Sequence, residues 1–582
     1  MKRRTLLGCG LLIVLFIAIA LIGLWGLRYI VRGPGLPGRF VLVVPLAGEI
    51  REARGVEWTQ LFVFKRPLTL WDIVRAIDRA AEDPRVHGIV VRMHMPSMGF
   101  AKAQELRAAL QRFRDSGKPV VVYAEILTDR DYLVATAADR IVMAPGGFVA
   151  LNGVIAQFIS VKRLLDKLGI TAQMVQFGPY KSAGDMYTKD RVTPEVRAML
   201  AWIARSLDTQ YLRALQQSRP KVVARWDDML ARGLILADEA QTLGLIDEVH
   251  PWIAFKKQVR EEWVKKWIRI SRYVRDLPNP RGRRKVRCAL VFAVGVIVTG
   301  RGNPGENIGS EQYVRWLEQI ARDKEIRCVL IRDDSPGGSG TASDEIWQAI
   351  ERVKQKGKKV VVSMSDVAGS GGYYIAMNAD RIVAQAGTIT GSIGVVGGKF
   401  VLRGTTEKVG IHVTEVPARE NAGMWSSFTP WNEDQIAQIR RTLGRFYRQF
   451  VRKVARGRNL PIEAVESVAE GRIWTGAQAL EHGLVDRLGG FSEAIEELRK
   501  LLNLPEDTVF IWKIYPRPRS PWEILLQPSG TAAHAHVAIS AWAQPPNMRR
   551  WLEALWVLHR ESVAYLMLPV EVGWRAYGYS MD

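Results

Sequence analysis

Val329-Leu330-Ile331-Arg332-Asp333-Asp334-Ser335-Pro336-Gly337-Gly338 has an altered counterpart earlier in the same chain, Ile89-Val90-Val91-Arg92-Met93-His94-Met95-Pro96-Ser97-Met98. Working outward, Gly117-Lys118-Pro119-Val120-Val121-Val122 recurs as Gly357-Lys358-Lys359-Val360-Val361-Val362, and Ala138-Asp139-Arg140-Ile141-Val142 as Ala379-Asp380-Arg381-Ile382-Val383. Ala240 … Gly244-Leu245-Ile246-Asp247 recurs as Ala479 … Gly483-Leu484-Val485-Asp486. Ordered matches at near-constant spacing mark a duplicated domain, and the period is far too long for a solenoid. Within each copy, short β-branched runs alternate with helical periodicity. The first copy predicts strands over 40–46, 88–92 and 120–124, with helices over 73–81, 101–116 and from 132. The second predicts strands over 288–298, 328–332 and 360–364, with helices over 313–322, 343–356 and 371–378. Long helices follow over 194–215 and 431–456. Such alternation points to an α/β fold of tandem domains, each a parallel sheet with crossover helices.

At 582 residues the chain exceeds what one core supports and fits two ordinary domains with extras. Residues 1–5 form a short polar stub. Leu6 to Leu27 is an unbroken run of apolar residues and glycine, long enough for a bilayer. Lys2, Arg3 and Arg4 precede it, so the N-terminus is expected in the cytoplasm and the body outside. A cleaved signal peptide is the alternative, but the run is long for one and lacks an Ala-x-Ala end. Leu6-Leu7-Gly8-Cys9 opens the run, whereas a lipidation motif would close it. A linker over 28–38 leads into the first repeat, 39–270. A basic linker over 271–286 leads into the second, 287–508. The extension over 509–582 has no counterpart in the first half. Its segments 551–558 and 565–568 read as amphipathic, suited to packing on their own domain, to the membrane surface or to a subunit contact.

The formal charge of +23 is spread along the chain and densest in the basic linker. No helix-turn-helix, zinc or RNP-type signature accompanies it, so nucleic acid is not expected as a partner. Solvated surface and attraction to anionic lipid head groups are the readings left. Cys9, Cys288 and Cys328 suggest no disulfide framework. Cys288 and Cys328 fall in predicted buried strands, where they read as small apolar fillers.

The two copies differ at complementary places. Where the second has Ser335-Pro336-Gly337-Gly338 and Gly369-Ser370-Gly371-Gly372, the first has Met95-Pro96-Ser97-Met98 and Asp129-Arg130-Asp131-Tyr132. Conversely, Lys181 of the first copy corresponds to Glu420 of the second. Ser370 sits where a strand turns into a helix, so its hydroxyl can lie at the helix N-terminus, where developing negative charge is favoured. Ala368 removes the Gly-x-Ser-x-Gly pattern of α/β-hydrolases. Gly337 and Gly338 can offer backbone N–H groups unobstructed by side chains, as an oxyanion hole requires. A serine nucleophile needs a base. His94, His412 and His482 offer little, since the first belongs to the altered copy and the others to predicted surface. Lysine serves if it is dehydrated enough to lose its proton. Lys181 lies in the small, uncharged stretch Gly178-Pro179-Tyr180-Lys181-Ser182-Ala183-Gly184, although any single lysine of so basic a chain reads first as solvated surface.

Taken together, Asp-Ser-Pro-Gly-Gly-Ser (334–339), Ala-Gly-Ser-Gly-Gly-Tyr-Tyr-Ile-Ala (368–376), Thr390-Gly391-Ser392-Ile393-Gly394-Val395 and Gly-Pro-Tyr-Lys-Ser-Ala (178–183) carry a resemblance. Over roughly residues 40–500 the chain resembles the signal peptide peptidase A (protease IV) family in its long, two-domain bacterial form. These are Ser/Lys proteases of the ClpP/crotonase-like superfamily. The resemblance implies Ser370 as nucleophile, Lys181 as general base, Ser392 as the residue orienting the lysine, and Gly337 and Gly338 as oxyanion hole. It further implies a single-pass protein of the bacterial inner membrane with its catalytic body on the periplasmic side. Its substrates would be cleaved signal peptides and other apolar peptides, and it would be a homo-oligomer, commonly a tetramer. No cofactor and no metal are expected: Gly391 to Gly397 lacks the spacing and the Lys-Ser/Thr ending of a phosphate loop. Two other readings share the fold, an acyl-CoA enzyme of the crotonase type and a catalytically idle membrane scaffold. The first would need neither Ser370 nor an anchor, and the second would need neither Ser370 nor Lys181.

Overall fold

A computed structural model describes residues 35–53, 67–277 and 284–517, with the short strands Tyr565–Met567 and Glu571–Val572. The expected anchor over 6–27 and the segment 551–558 lie outside the described residues. Among the described residues no helix is long and apolar enough to cross a membrane.

The duplication is visible strand by strand. In the first half Phe40–Glu49, Val86–Ser97, Val120–Thr128 and Arg140–Ala150 pair in parallel, with Leu234–Leu236 antiparallel at one edge and Trp267–Arg269 parallel at the other. In the second half Lys285–Val294, Ile326–Ser335, Lys359–Gly369 and Arg381–Ala384 repeat the parallel set. Ile473–Thr475 and Val509–Tyr515 take the two edges. Helices cross between the parallel strands, as expected. Leu70–Glu82 is typical of them. Thr69 and Asp72 close a reciprocal capping box at its start, and Leu70, Ile73, Val74 and Ile77 form the buried stripe.

Strand alternation decides where the core sits. In the second sheet Ala289, Val291, Val329, Ile331, Val360 and Val362 point into the core of their own half. Leu290, Leu330, Val361 and Val383 point the other way, into a core shared with Leu42, Val44, Ile89, Val91 and Val122 of the first sheet. The two repeats are therefore packed against each other through a continuous apolar interior.

A third sheet joins the halves. Its order is Asn307–Gly309, Val296–Val298, Gly337–Ser339, Tyr565–Met567, Val395–Val401 and Thr171–Phe177. Thr171–Phe177 comes from the first half and runs antiparallel to Val395–Val401 of the second, with Phe177 opposite Val395.

Three expectations are corrected. The second domain does not end at 508, because Val509–Tyr515 pairs with Lys285–Val294 as its edge strand and matches Trp267–Arg269 in the first half. The start of the basic linker is not free chain: Ile270–Arg275 is a helix whose Tyr273 is buried and donates to Asp83 at 3.1 Å. Cys288 and Cys328 are not separate apolar fillers. They stand opposite each other on neighbouring parallel strands and are joined as a disulfide. Thiol alkylation of the denatured, unreduced chain is therefore expected to label Cys9 alone, with all three cysteines labelled after reduction. Labelling of all three without reductant would remove the disulfide.

Candidate active site

The strand Lys359–Gly369 runs into Ser370 and the helix Gly371–Ala376 follows at once. Ser370 holds φ 55° and ψ −111°, a conformation that disfavours any side chain and is kept only where the surroundings impose it. Its N–H donates to Gly391 O at 2.8 Å, and its carbonyl accepts from Tyr374 N–H at 2.8 Å. Ser370 is fully buried in the resting chain.

Lys181 arrives from the other half, on the turn after the strand Thr171–Phe177. Its Nζ lies 2.7 Å from Ser370 Oγ, 2.9 Å from Ser392 Oγ and 3.0 Å from the Ser392 carbonyl. Burial pushes its amine well below the ordinary lysine range, and among the described residues no ion pair opposes that shift. The counterpart position, Glu420, is exposed. Ser392 also holds a positive φ of 52°, fixed by its N–H donating to Arg472 O at 2.6 Å. The same segment seats the lysine turn. Tyr180 N–H donates to Glu470 O at 3.2 Å, and the Arg472 guanidinium stacks 4.3 Å above the Tyr180 ring. Gly471 must be glycine, because a Cβ there would stand 2.5 Å from Lys181 Cβ. Sequence reading did not single out 470–472, and nothing in its pattern signals the role.

The glycine loop forms the third wall. Gly338 has φ +150°, and a Cβ on it would meet Ile297 O at 2.1 Å. Gly337 N–H donates to Ser335 Oγ at 3.2 Å, a long bond. A Cβ on Gly371 would stand 3.1 Å from Gly337 Cα, so the serine turn and the glycine loop are in direct contact. The histidines are placed elsewhere: His94 lies 3.3 Å from Glu125, His412 is exposed, and the His482 ring packs on Trp474.

A second lysine of the first half also reaches this wall, and sequence reading missed it. Lys102 Nζ donates to Asp334 at 2.9 Å and lies 3.2 Å from Asp366. Asp334 accepts from Val367 N–H at 3.1 Å, while Asp366 accepts from Gly99 and Lys102 N–H at 3.0 Å each. Burial alone would lower the Lys102 amine, but the two carboxylates outweigh it and hold the ammonium protonated. Lys102 thus fastens the strand ends that precede the glycine loop and the serine turn. The available signal was a charge inside the apolar stripe Ala103, Leu106, Leu110 and Phe113 of its helix. Lys102→Met is expected to lower kcat on a peptide substrate by about tenfold or more with little change in KM, since misplacement of catalytic groups acts on the chemical step. Lys102→Arg should restore part of it. Steady-state kinetics on the folded variants, checked by circular dichroism, decides this.

A family model described as peptidase family S49 matches residues 112–264 and again 352–505, once in each repeat. Protease 4 of Haemophilus influenzae is 30% identical over 466 residues, covering 76% of this chain and 74% of that protein. Protease 4 of Salmonella typhi is 32% identical over 460 residues, covering 75% and 73%. The chloroplastic serine protease SPPA of Arabidopsis thaliana is 30% identical over 458 residues, covering 76% and 67%. With one match in each half and relatives aligned along most of its length, the chain belongs to peptidase family S49 and is a serine protease.

Proposed function

We propose that Ser370 and Lys181 form a catalytic dyad assembled across the two repeats, and that the protein is a membrane-anchored endopeptidase for cleaved signal peptides and other apolar peptides. The observation that carries this reading is the 2.7 Å approach of Lys181 Nζ to Ser370 Oγ in a site without bulk water. Neutral Lys181 accepts the Ser370 hydroxyl proton as Oγ attacks the scissile carbonyl. The new ammonium donates to the Ser392 hydroxyl and carbonyl, which already stand within hydrogen-bond range. N–H groups of Gly337 or Gly338 stabilise the oxyanion, each donor contributing about 3 kcal/mol. Lys181 then gives its proton to the leaving amine, and water, deprotonated by the same amine, releases the acyl-enzyme.

The apolar run over 6–27 supports the anchor, and the Cys288–Cys328 disulfide fits a body on the oxidising side of the membrane. A homo-oligomer is part of the proposal. Leu164, Leu168, Val409, Ile411 and Val416 are exposed on adjoining segments and offer a contact for a second copy.

Hydrolysis of a fluorogenic apolar peptide by the detergent-solubilised protein tests the dyad. Ser370→Ala should abolish turnover, and Lys181→Ala should lower kcat by about 10²–10⁴-fold. Full activity in either folded variant would refute its assignment. Because the working form of Lys181 is the neutral amine, wild-type kcat/KM should fall as pH is lowered through its depressed pKa. Stability carries the opposite mark. The unfolded chain holds the lysine proton up to the ordinary value of 10.5, whereas the folded chain releases it earlier, so below that pH folding costs a deprotonation. Lys181→Met escapes this cost. It should therefore be more stable than wild type at pH 7, with the gap closing near pH 10.5, as read by denaturant melts.

A further inference from the structure

One strand of the sheet that joins the halves comes from neither repeat. Tyr565–Met567, in the C-terminal extension, lies between Gly337–Ser339 and Val395–Val401. It runs antiparallel to both. Met567 stands opposite Gly337, Leu566 opposite Gly338 and Tyr565 opposite Ser339, while Val396 stands opposite Tyr565 on the far side. Neighbouring strands lie about 4.8 Å apart, so without this strand the two flanking edges would face each other across an opening about 10 Å wide. One edge is the glycine pair beside the Ser370 turn. The other follows directly from the Ser392 loop that holds Lys181. An opening with a strand edge on each side takes an extended peptide, whose main-chain groups complete both ladders.

The extension is held at a second point as well. After Met567 the chain reaches Glu571–Val572, which pairs antiparallel with Ala156–Gln157 of the first half. The tail thus crosses from the glycine loop of the second half to an anchor on the first. Along the crossing, residue by residue from Tyr565 to Met567, it runs toward Gly337, the glycine next to the serine turn.

Given the dyad reading, we propose that Tyr565–Met567 is an internal occupant of the peptide groove, laid in the direction and register of a bound peptide. The full-length chain is then restrained by its own tail, and an external apolar peptide must displace the strand to reach Ser370. The apparent KM is raised by the inverse of the fraction of time the groove is open, about tenfold if the tail fills it nine-tenths of the time.

The test uses the full chain carrying Leu566→Pro or, separately, Met567→Pro. Each removes a strand N–H and leaves the catalytic residues untouched. Hydrolysis of the fluorogenic apolar peptide should show a KM several-fold below wild type at unchanged kcat, and a synthetic peptide of residues 560–572 should inhibit the Leu566→Pro chain competitively. Unchanged KM in both variants, or a fall in kcat alone, would overturn the proposal, the latter because the strand would then be a fixed part of the site. A readout independent of turnover separates this from a failure of the dyad. In Ser370→Ala, amide hydrogen exchange at 565–567 should be slow and should quicken when saturating apolar peptide is added. Exchange indifferent to the peptide counts against tail occupancy, whatever Ser370 proves to do.

Discussion

An amine held dry beside a serine hydroxyl is the constraint on which the rest of this structure depends. Dehydration lowers a lysine only when no carboxylate is near enough to keep the proton. Lys181 meets Ser370 and Ser392, which accept hydrogen bonds and carry no charge. Lys102, also buried and from the same half, meets Asp334 and Asp366 and keeps its proton. Two buried lysines of the same half are thus shifted in opposite directions, and their neighbours decide which. Lys181, without a counter-charge, is pushed down by its burial, whereas Lys102 keeps its proton and fastens the strand ends. Exchanging their surroundings would exchange their roles.

Such a site needs a lid of protein on every side, which a single repeat with one open sheet face does not supply. The shared apolar core brings the halves together, and a buried ionic cluster sets how they meet. Arg332 of the second half is fully buried and bonds Glu52 through two nitrogens at 2.9 and 3.0 Å and Glu105 at 2.6 Å, both from the first half. Its guanidinium also lies 4.2 Å above the Phe491 ring. Burial pushes the Glu105 carboxyl up, the Glu52 charge adds to that, and Arg332 only partly opposes it. A cluster of this kind adds little net stability over apolar residues of the same size, yet removing one member costs about 3–5 kcal/mol. Its effect is selective: other docking angles of the halves would strand a buried charge. Arg332 lies on the strand that ends in the glycine loop, so fixing its position fixes the loop relative to Lys181.

The duplication and the alternation of strands and helices were legible because both rest on local pattern. Ser370 and Lys181 stood out because the copies differ at those places in opposite senses, while their proposed roles came from the family resemblance. What escaped depends on pairings between distant segments. Cys288 and Cys328 become neighbours only through the parallel register of their strands. Lys102 and Asp366 meet across the junction of the halves, and the edge strand Val509–Tyr515 shares no motif with Trp267–Arg269 beyond its place in the sheet. The joining sheet is built from strands as short as Gly337–Ser339, whose glycines carry turn character when read alone. Resemblance supplied Ser392, which composition and spacing would not have raised.

The first repeat carries a different structure at the place that corresponds to the serine turn. Where the second has Gly369-Ser370-Gly371-Gly372, the first has Asp129-Arg130-Asp131-Tyr132, and these residues have built something else. Asp131 accepts from the Thr128 N–H at 3.0 Å and hydroxyl at 2.7 Å, closing the start of the helix Asp129–Ala135. Asp129 accepts from Asn152 N–H at 3.2 Å and Gly153 N–H at 3.3 Å, and burial pushes its carboxyl up to about 7. Arg130 reaches back to the Met98 carbonyl, tying the turn to the loop by a side chain where the second repeat packs glycine against glycine. A serine at 130 would leave these carboxylates buried and would find no lysine opposite it, since the corresponding residue of the second half is the exposed Glu420. The buried carboxylates of the first repeat are held instead by backbone and hydroxyl donors, which close the turn at the place that corresponds to Ser370.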